Sequence, residues 1–136
     1  MPKVFTSKTQ KTGEIGENIA ARFLVKQGFT IKDRNYTKKW GEIDIVAEKD
    51  NKIHFVEVKS VSRDTIKDLD KEELDRYNPE DNMHPWKLKR LGRTIQTYLL
   101  SEKIDEDREW QVDLLVVFLN EKEKKARIKV VKDIIL

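Results

Sequence analysis

The stretch GEIDIVAEKDNKIHFVEVKS, residues 41–60, joins two runs rich in β-branched residues through a two-residue polar break, Asp50-Asn51. Both break residues tolerate the positive φ of a two-residue turn, so the stretch predicts an antiparallel hairpin. A loop this short leaves one register: Lys49 faces Lys52, Ile45 faces Val56, Asp44 faces Glu57 and Glu42 faces Lys59. Side chains alternate across a strand. The register therefore predicts an oily face of Ile43, Ile45, Val56 and Val58, and a second face carrying Glu42, Asp44, Glu57 and Lys59 beside Val46 and Phe55.

Directly opposed residues in an antiparallel pair stand about 4.5–5.5 Å apart at Cα, and like charges there destabilise the pair. A cation between Asp44 and Glu57 removes that penalty, and Mg²⁺ takes hard oxygen ligands while keeping several waters. Lys59 would then hold or deprotonate an attacking water, or neutralise a phosphate in the transition state. That is the logic of metal-assisted phosphodiester hydrolysis. The alternative is a surface ladder in which Glu42 pairs with Lys59 and the acids sit in water; Val46 and Phe55 on the same face weigh against it.

Upstream, Ile15, Ile19, Ala20, Phe23 and Leu24 recur at helical spacing and predict a helix over residues 13–27, with Thr12 as N-cap, Gly28 as stop and residues 1–12 as a tail. Glu17 lies at the edge of its apolar arc, where it either reaches inward as a third acid or marks the boundary with solvent. Gly13 and Gly16 would let another backbone or a nucleic acid come close. Residues 29–36 predict a strand. Residues 84–103 predict a second helix, with Pro85 in the first turn, His84 as a cap and Leu88, Leu91, Ile95 and Leu99 as its stripe. WQVDLLVVFL and the segment from Ala126 to Asp133 predict two strands around the turn NEKEKK. With 136 residues the chain makes one domain, an α/β fold of order α-β-β-β-α-β-β whose mixed sheet of four to five strands is flanked by helices.

The chain has no cysteine and its two histidines are thirty positions apart, so thiolate chemistry is excluded and any metal is held mainly by oxygen. No apolar run is long enough to cross a bilayer and the N-terminus lacks the apolar segment of a signal peptide, so a cytoplasmic protein without membrane contact is expected. The net charge is only +3, but residues 1–63 carry 13 Lys/Arg against 8 Asp/Glu and residues 83–103 carry 5 against 1. Residues 64–82 reverse the sign, 3 against 8. Basic segments sharing one face would suit a polyanionic partner; ordinary solvated faces are the other reading.

Taken together, GEIGENIAARFLVKQGF, RNYTKKWGEIDIVAEKDNKIHFVEVKS, KLKRLGRTIQTYL and VDLLVVF resemble the YraN-like family of uncharacterised bacterial proteins. That family has the restriction-endonuclease-like fold of PD-(D/E)XK nucleases and is similar to archaeal Holliday junction resolvases. G-E-I-D followed at this spacing by V-E-V-K is the most specific part of the match. The resemblance implies catalytic residues at Glu17, Asp44, Glu57 and Lys59, with Mg²⁺ (or Mn²⁺) held by Asp44, Glu57 and the Val58 carbonyl. Glu17 would serve a second metal or its waters. Where the family places a basic residue soon after V-E-V-K, this chain has Ser60-Val61-Ser62 before Arg63, and residues 64–82 lengthen the usual connection.

The resulting expectation is a metal-dependent endonuclease acting on branched or structured DNA. Arg63, Lys87, Lys89, Arg90 and Arg93 are its candidate phosphate contacts, and Trp40 and Trp86 would stack on bases or serve packing. A homodimer is implied, since a four-way junction needs two symmetric cuts. Two alternatives stand beside it: a nucleic-acid-binding module without turnover, and a protein-interaction domain whose partner docks on the acidic segment 64–82.

Overall fold

The computed structural model describes residues 8–62 and 84–136; Arg63 and the acidic segment 64–82 lie outside the described residues. Helix α1 (Lys8–Lys26) is followed by β1 (Thr30–Lys38), β2 (Gly41–Lys49) and β3 (Lys52–Ser62), then α2 (Pro85–Ser101), β4 (Trp110–Asn120) and β5 (Lys125–Val131). The five strands form one sheet in the order β1-β2-β3-β4-β5. All neighbours are antiparallel except β3 and β4, whose parallel pairing requires the crossover that contains α2.

The hairpin turn takes the expected form: φ is 52° at Asp50 and 64° at Asn51, and the ladder runs Lys49–Lys52 through Ile45–Val56 in the register read from the sequence. The division into an oily and a charged face does not hold, because helices cover both faces. Ala20, Ala21 and Leu24 of α1 pack on Ile45, Ala47, Val56, Leu115 and Val117. On the other face Leu91, Ile95 and Tyr98 of α2 pack on Ile43, Val46, Phe55 and Val112. β4, covered on both sides, is buried without a break from Val112 to Asn120.

α1 starts before the expected N-cap. Thr12 lies inside the helix and its hydroxyl donates to Glu121 Oε1 (2.7 Å), a tie to the β4–β5 turn that sequence periodicity does not reveal. The helix stops where expected. Gly28 adopts φ +93°, its N–H bonds the Val25 carbonyl and the Phe29 N–H bonds the Leu24 carbonyl, which is a Schellman ending with its Phe29–Leu24 apolar contact. α2 begins with Pro85 at its first turn and His84 at the N-cap position, although the His84 side chain makes no capping bond. Among the described residues, no helix is long and apolar enough to cross a membrane.

Candidate active site

Between Ile43 and Ile45 the strict alternation of β2 fails: Ile43 packs with Val46 and Phe55 under α2, while Ile45 packs under α1. Asp44 accounts for this. Beyond Ile45–Val56 the paired register stops, and Asp44 Oδ2 instead accepts the Val58 N–H at 2.8 Å. Its side chain thus turns between the strands, doing the work of a ladder carbonyl and setting its flanking residues on opposite faces. The expected direct opposition of Asp44 and Glu57 is replaced by this edgewise arrangement, which still leaves the two carboxyls lining one cavity.

That cavity, of ≈ 450 Å³, is lined by Glu17 from α1, Thr37, Lys38, Gly41, Glu42 and Asp44 from β1 and β2, Glu57 and Val58 from β3, and Trp86, Lys87, Arg90 and Leu91 from α2. Asp44, Glu17 and Glu57 are buried to 5%, 6% and 7% exposure, whereas Lys38, Trp86, Lys87 and Arg90 are exposed. Acids therefore line the interior and cations the mouth. Carboxylates at this depth require hydrogen-bond donors or cations around them. Asp44 has the Val58 amide, and Glu17 has Arg34 Nη2 at 4.0 Å, itself donating to Asn18 Oδ1 at 2.9 Å.

Two close approaches bring the helices to this cavity. An added Cβ on Gly16 would stand 1.8 Å from Ser60 Oγ, so the absence of a side chain lets α1 settle on β3 and carry Glu17 inward. An added Cβ on Gly41 would stand 2.7 Å from Thr94 Oγ1 and 3.2 Å from the Arg90 carbonyl, so α2 crosses directly over the start of β2. Gly13, by contrast, has open space around it.

Of the residues singled out in the sequence, Glu17, Glu42, Asp44, Glu57, Val58, Trp86, Lys87, Arg90 and Leu91 meet at the cavity. Lys59, two residues beyond Glu57 on β3, is exposed and is not part of the lining. Lys89 is exposed elsewhere on α2, and Arg93 sits 4.5 Å over the Trp40 ring. Sequence reading missed Thr37 and Lys38, whose only local signal is the basic run Lys38-Lys39 before Trp40. Among the described residues no three Asp, Glu or His side chains converge as a ready-made metal cage. The donors that do line the cavity, carboxylates and a backbone segment, fit a hard cation that retains water rather than Zn²⁺.

A second polar cluster lies near the hairpin turn. His54 Nδ1 is 2.7 Å from Asp113 Oδ2, and Asp113 Oδ1 accepts from Gln111 Nε2 (2.7 Å) and the Asp133 N–H (3.0 Å). Only the parallel β3–β4 pairing, His54 beside Gln111, brings these residues together. The cluster fastens the C-terminal segment to β4, which the Ile134 N–H to Val112 carbonyl bond (2.8 Å) completes. Elsewhere, the buried Tyr98 phenol donates to Asp33 Oδ2 at 2.8 Å; burial first and this bond second hold its pKa well above the usual tyrosine value.

The profile of an uncharacterised protein family, UPF0102, matches residues 16–131. The chain is 42% identical over 107 residues to a UPF0102 protein of Campylobacter fetus, covering 77% of this chain and 81% of the relative. It is 37% identical over 110 residues to one of Campylobacter jejuni (81% and 86%) and 36% identical over 118 residues to one of a Sulfurovum species (86% of each). The matched span contains α1 from Gly16 onward, α2, all five strands and every lining residue of the acidic cavity, and the chain belongs to the UPF0102 family of uncharacterised proteins.

Proposed function

We propose that this protein is a metal-dependent endonuclease that hydrolyses phosphodiester bonds in branched or structured DNA. The observation that carries the reading is the gathering of Glu17, Asp44, Glu57 and Val58, from one helix and two strands, inside a cavity whose mouth bears Lys38, Lys87 and Arg90. Buried acids cannot hold a polyanion by themselves. A cation must stand between the two, and Mg²⁺ or Mn²⁺ supplies a polarised phosphoryl oxygen and an activated water.

The residues divide the work by position. Asp44 and Glu57, with the Val58 carbonyl, would hold the ion, and Asp44 is pre-oriented for this by the Val58 N–H. Glu17 would orient a second ion or its waters, with Arg34 close enough to limit repulsion among the acids. Lys87 and Arg90, exposed and one helical turn apart, would hold phosphates at the mouth. Lys59, at the exposed end of β3, would swing toward the reacting phosphate through its flexible stem.

One observation favours a second reading, a nucleic-acid-binding module without turnover: no three-residue metal cage is present among the described residues. The test is cleavage of four-way, flapped and duplex DNA in Mg²⁺ and in Mn²⁺, comparing the unmodified protein with Glu57→Gln. The nuclease reading expects cuts that need the divalent ion and disappear in the variant. DNA binding with no cleavage in either protein supports the binding module instead.

A further inference from the structure

We propose that Trp86 is a stacking platform for a base that has left its helical stack, so that this site takes DNA with an unpaired nucleotide beside the bound phosphate. The inference deepens the nuclease reading and rests on it. Trp86 is 57% exposed at the mouth of the acidic cavity, an unusual place for so large an apolar ring, and it joins none of the three core clusters of the described residues. Its position is nevertheless set. The Arg90 guanidinium, one turn along α2, lies over the ring at 5.5 Å from its centroid, and Arg90 Nε donates to the Trp40 carbonyl at 2.9 Å. Arg93 in turn sits over the Trp40 ring at 4.5 Å. Indoles and guanidinium groups thus alternate along the edge where α2 meets the start of β2. The His84 ring runs parallel to Trp86 within 8°, with centroids 6.3 Å apart, so a second ring already stacks with the indole.

Exposed aromatics among cations are how proteins hold single strands: the cations follow the phosphates and the rings take base faces. The geometry also selects against continuous duplex. In a duplex each base has both faces covered by its neighbours, so Trp86 finds a π-face only at a flap, a branch or a single strand. Lys87, the next residue in the chain and also in the lining, meets phosphate in either kind of DNA. Discrimination between unpaired and paired substrates therefore resides in Trp86, and non-selective affinity in Lys87.

The test is equilibrium binding at low salt in EDTA, where metal-assisted cleavage does not intrude. A fluorescently labelled flap is titrated with protein and competed by a single-stranded oligonucleotide or by relaxed closed-circular duplex, which has no ends. Loss of one stacked base is expected to cost about 5- to 150-fold in affinity. Trp86→Ala should weaken flap and single-strand binding by a factor in that range, leave duplex binding unchanged, and be largely rescued in Trp86→Phe. Lys87→Ala should weaken all three alike. If Trp86→Ala leaves every affinity unchanged, or lowers them all equally, the platform is overturned while the nuclease reading stands. If the unmodified protein binds none of these DNAs, either in EDTA or after Mg²⁺ is restored, the nuclease reading falls and the platform falls with it.

Discussion

Replacing Gly16 by alanine sets two calculable effects against each other. Gly16 lies in the interior of α1, where alanine is favoured over glycine by about 0.8–1 kcal/mol. The new methyl would, however, stand 1.8 Å from Ser60 Oγ and 2.9 Å from Ser60 Cβ. A hydroxyl can rotate away; a Cβ cannot move without its strand. Overpacking of this kind costs about 1–3 kcal/mol, so Gly16→Ala should range from nearly neutral to about 2 kcal/mol destabilising. In a Ser60→Gly background both obstructing atoms vanish, and the same substitution should stabilise the protein by about 1 kcal/mol. Urea denaturation of the four proteins of this cycle, followed by circular dichroism, measures the difference, an expected coupling of about 1–3 kcal/mol. Because Glu17 follows Gly16 directly, the proposed nuclease activity should be lower in Gly16→Ala even under conditions where that variant remains fully folded. Additive effects, with Gly16→Ala stabilising in both backgrounds, would show that the Gly16–Ser60 approach does not fix α1 against β3, and the account of how Glu17 reaches the cavity would be wrong.

Asp44→Asn keeps a side-chain oxygen for the Val58 N–H and should stay within about 1 kcal/mol of the unmodified stability, whereas Asp44→Ala strands that donor and should cost about 1–3 kcal/mol in the same denaturation assay. Tyr98 has a raised folded-state pKa, so its contribution to stability is complete below about pH 10 and declines above it, as the unfolded chain loses the phenolic proton that the folded one retains. Tyr98→Phe should lose about 1 kcal/mol at pH 8 with the Asp33 hydrogen bond, and its urea midpoint should fall less between about pH 8 and pH 11; equal alkaline declines in both proteins would contradict this. If Lys87 and Arg90 each neutralise a phosphate, removing both should reduce the slope of log affinity against log salt on duplex DNA by about 1.8, and an unchanged slope would remove them from the interface.

The hairpin was readable because a two-residue turn leaves a single register, and Asp50 and Asn51 take the positive φ that such a turn needs. From that register Asp44 and Glu57 could be placed together before any fold was known. What alternation misrepresented was the environment: it put Phe55 and Val46 on a charged face, whereas α2 covers them, and helix docking is a tertiary fact that a strand's own pattern does not encode. The edgewise turn of Asp44 was hidden for a related reason, since it depends on β2 and β3 parting beyond Ile45–Val56. On α2, the leucine stripe correctly placed Leu91 and Ile95 in the core, but it treated Lys87, Lys89, Arg90 and Arg93 as equivalent; the close approach at Gly41 selects Lys87 and Arg90 for the cavity. The His54–Asp113 pair left no local signal, because its residues are 59 positions apart and meet only through the parallel pairing.

The central claim is that the acids of this cavity exist to hold a divalent ion. Isothermal titration of Mg²⁺, and separately Mn²⁺, into the unmodified protein and into Asp44→Asn, each with and without a flap oligonucleotide, tests it most directly. The account predicts saturable binding by the unmodified protein that Asp44→Asn abolishes while its unfolding transition stays in place. Absence of binding in both proteins, with DNA present, would contradict it and leave Glu17, Asp44 and Glu57 as structural acids.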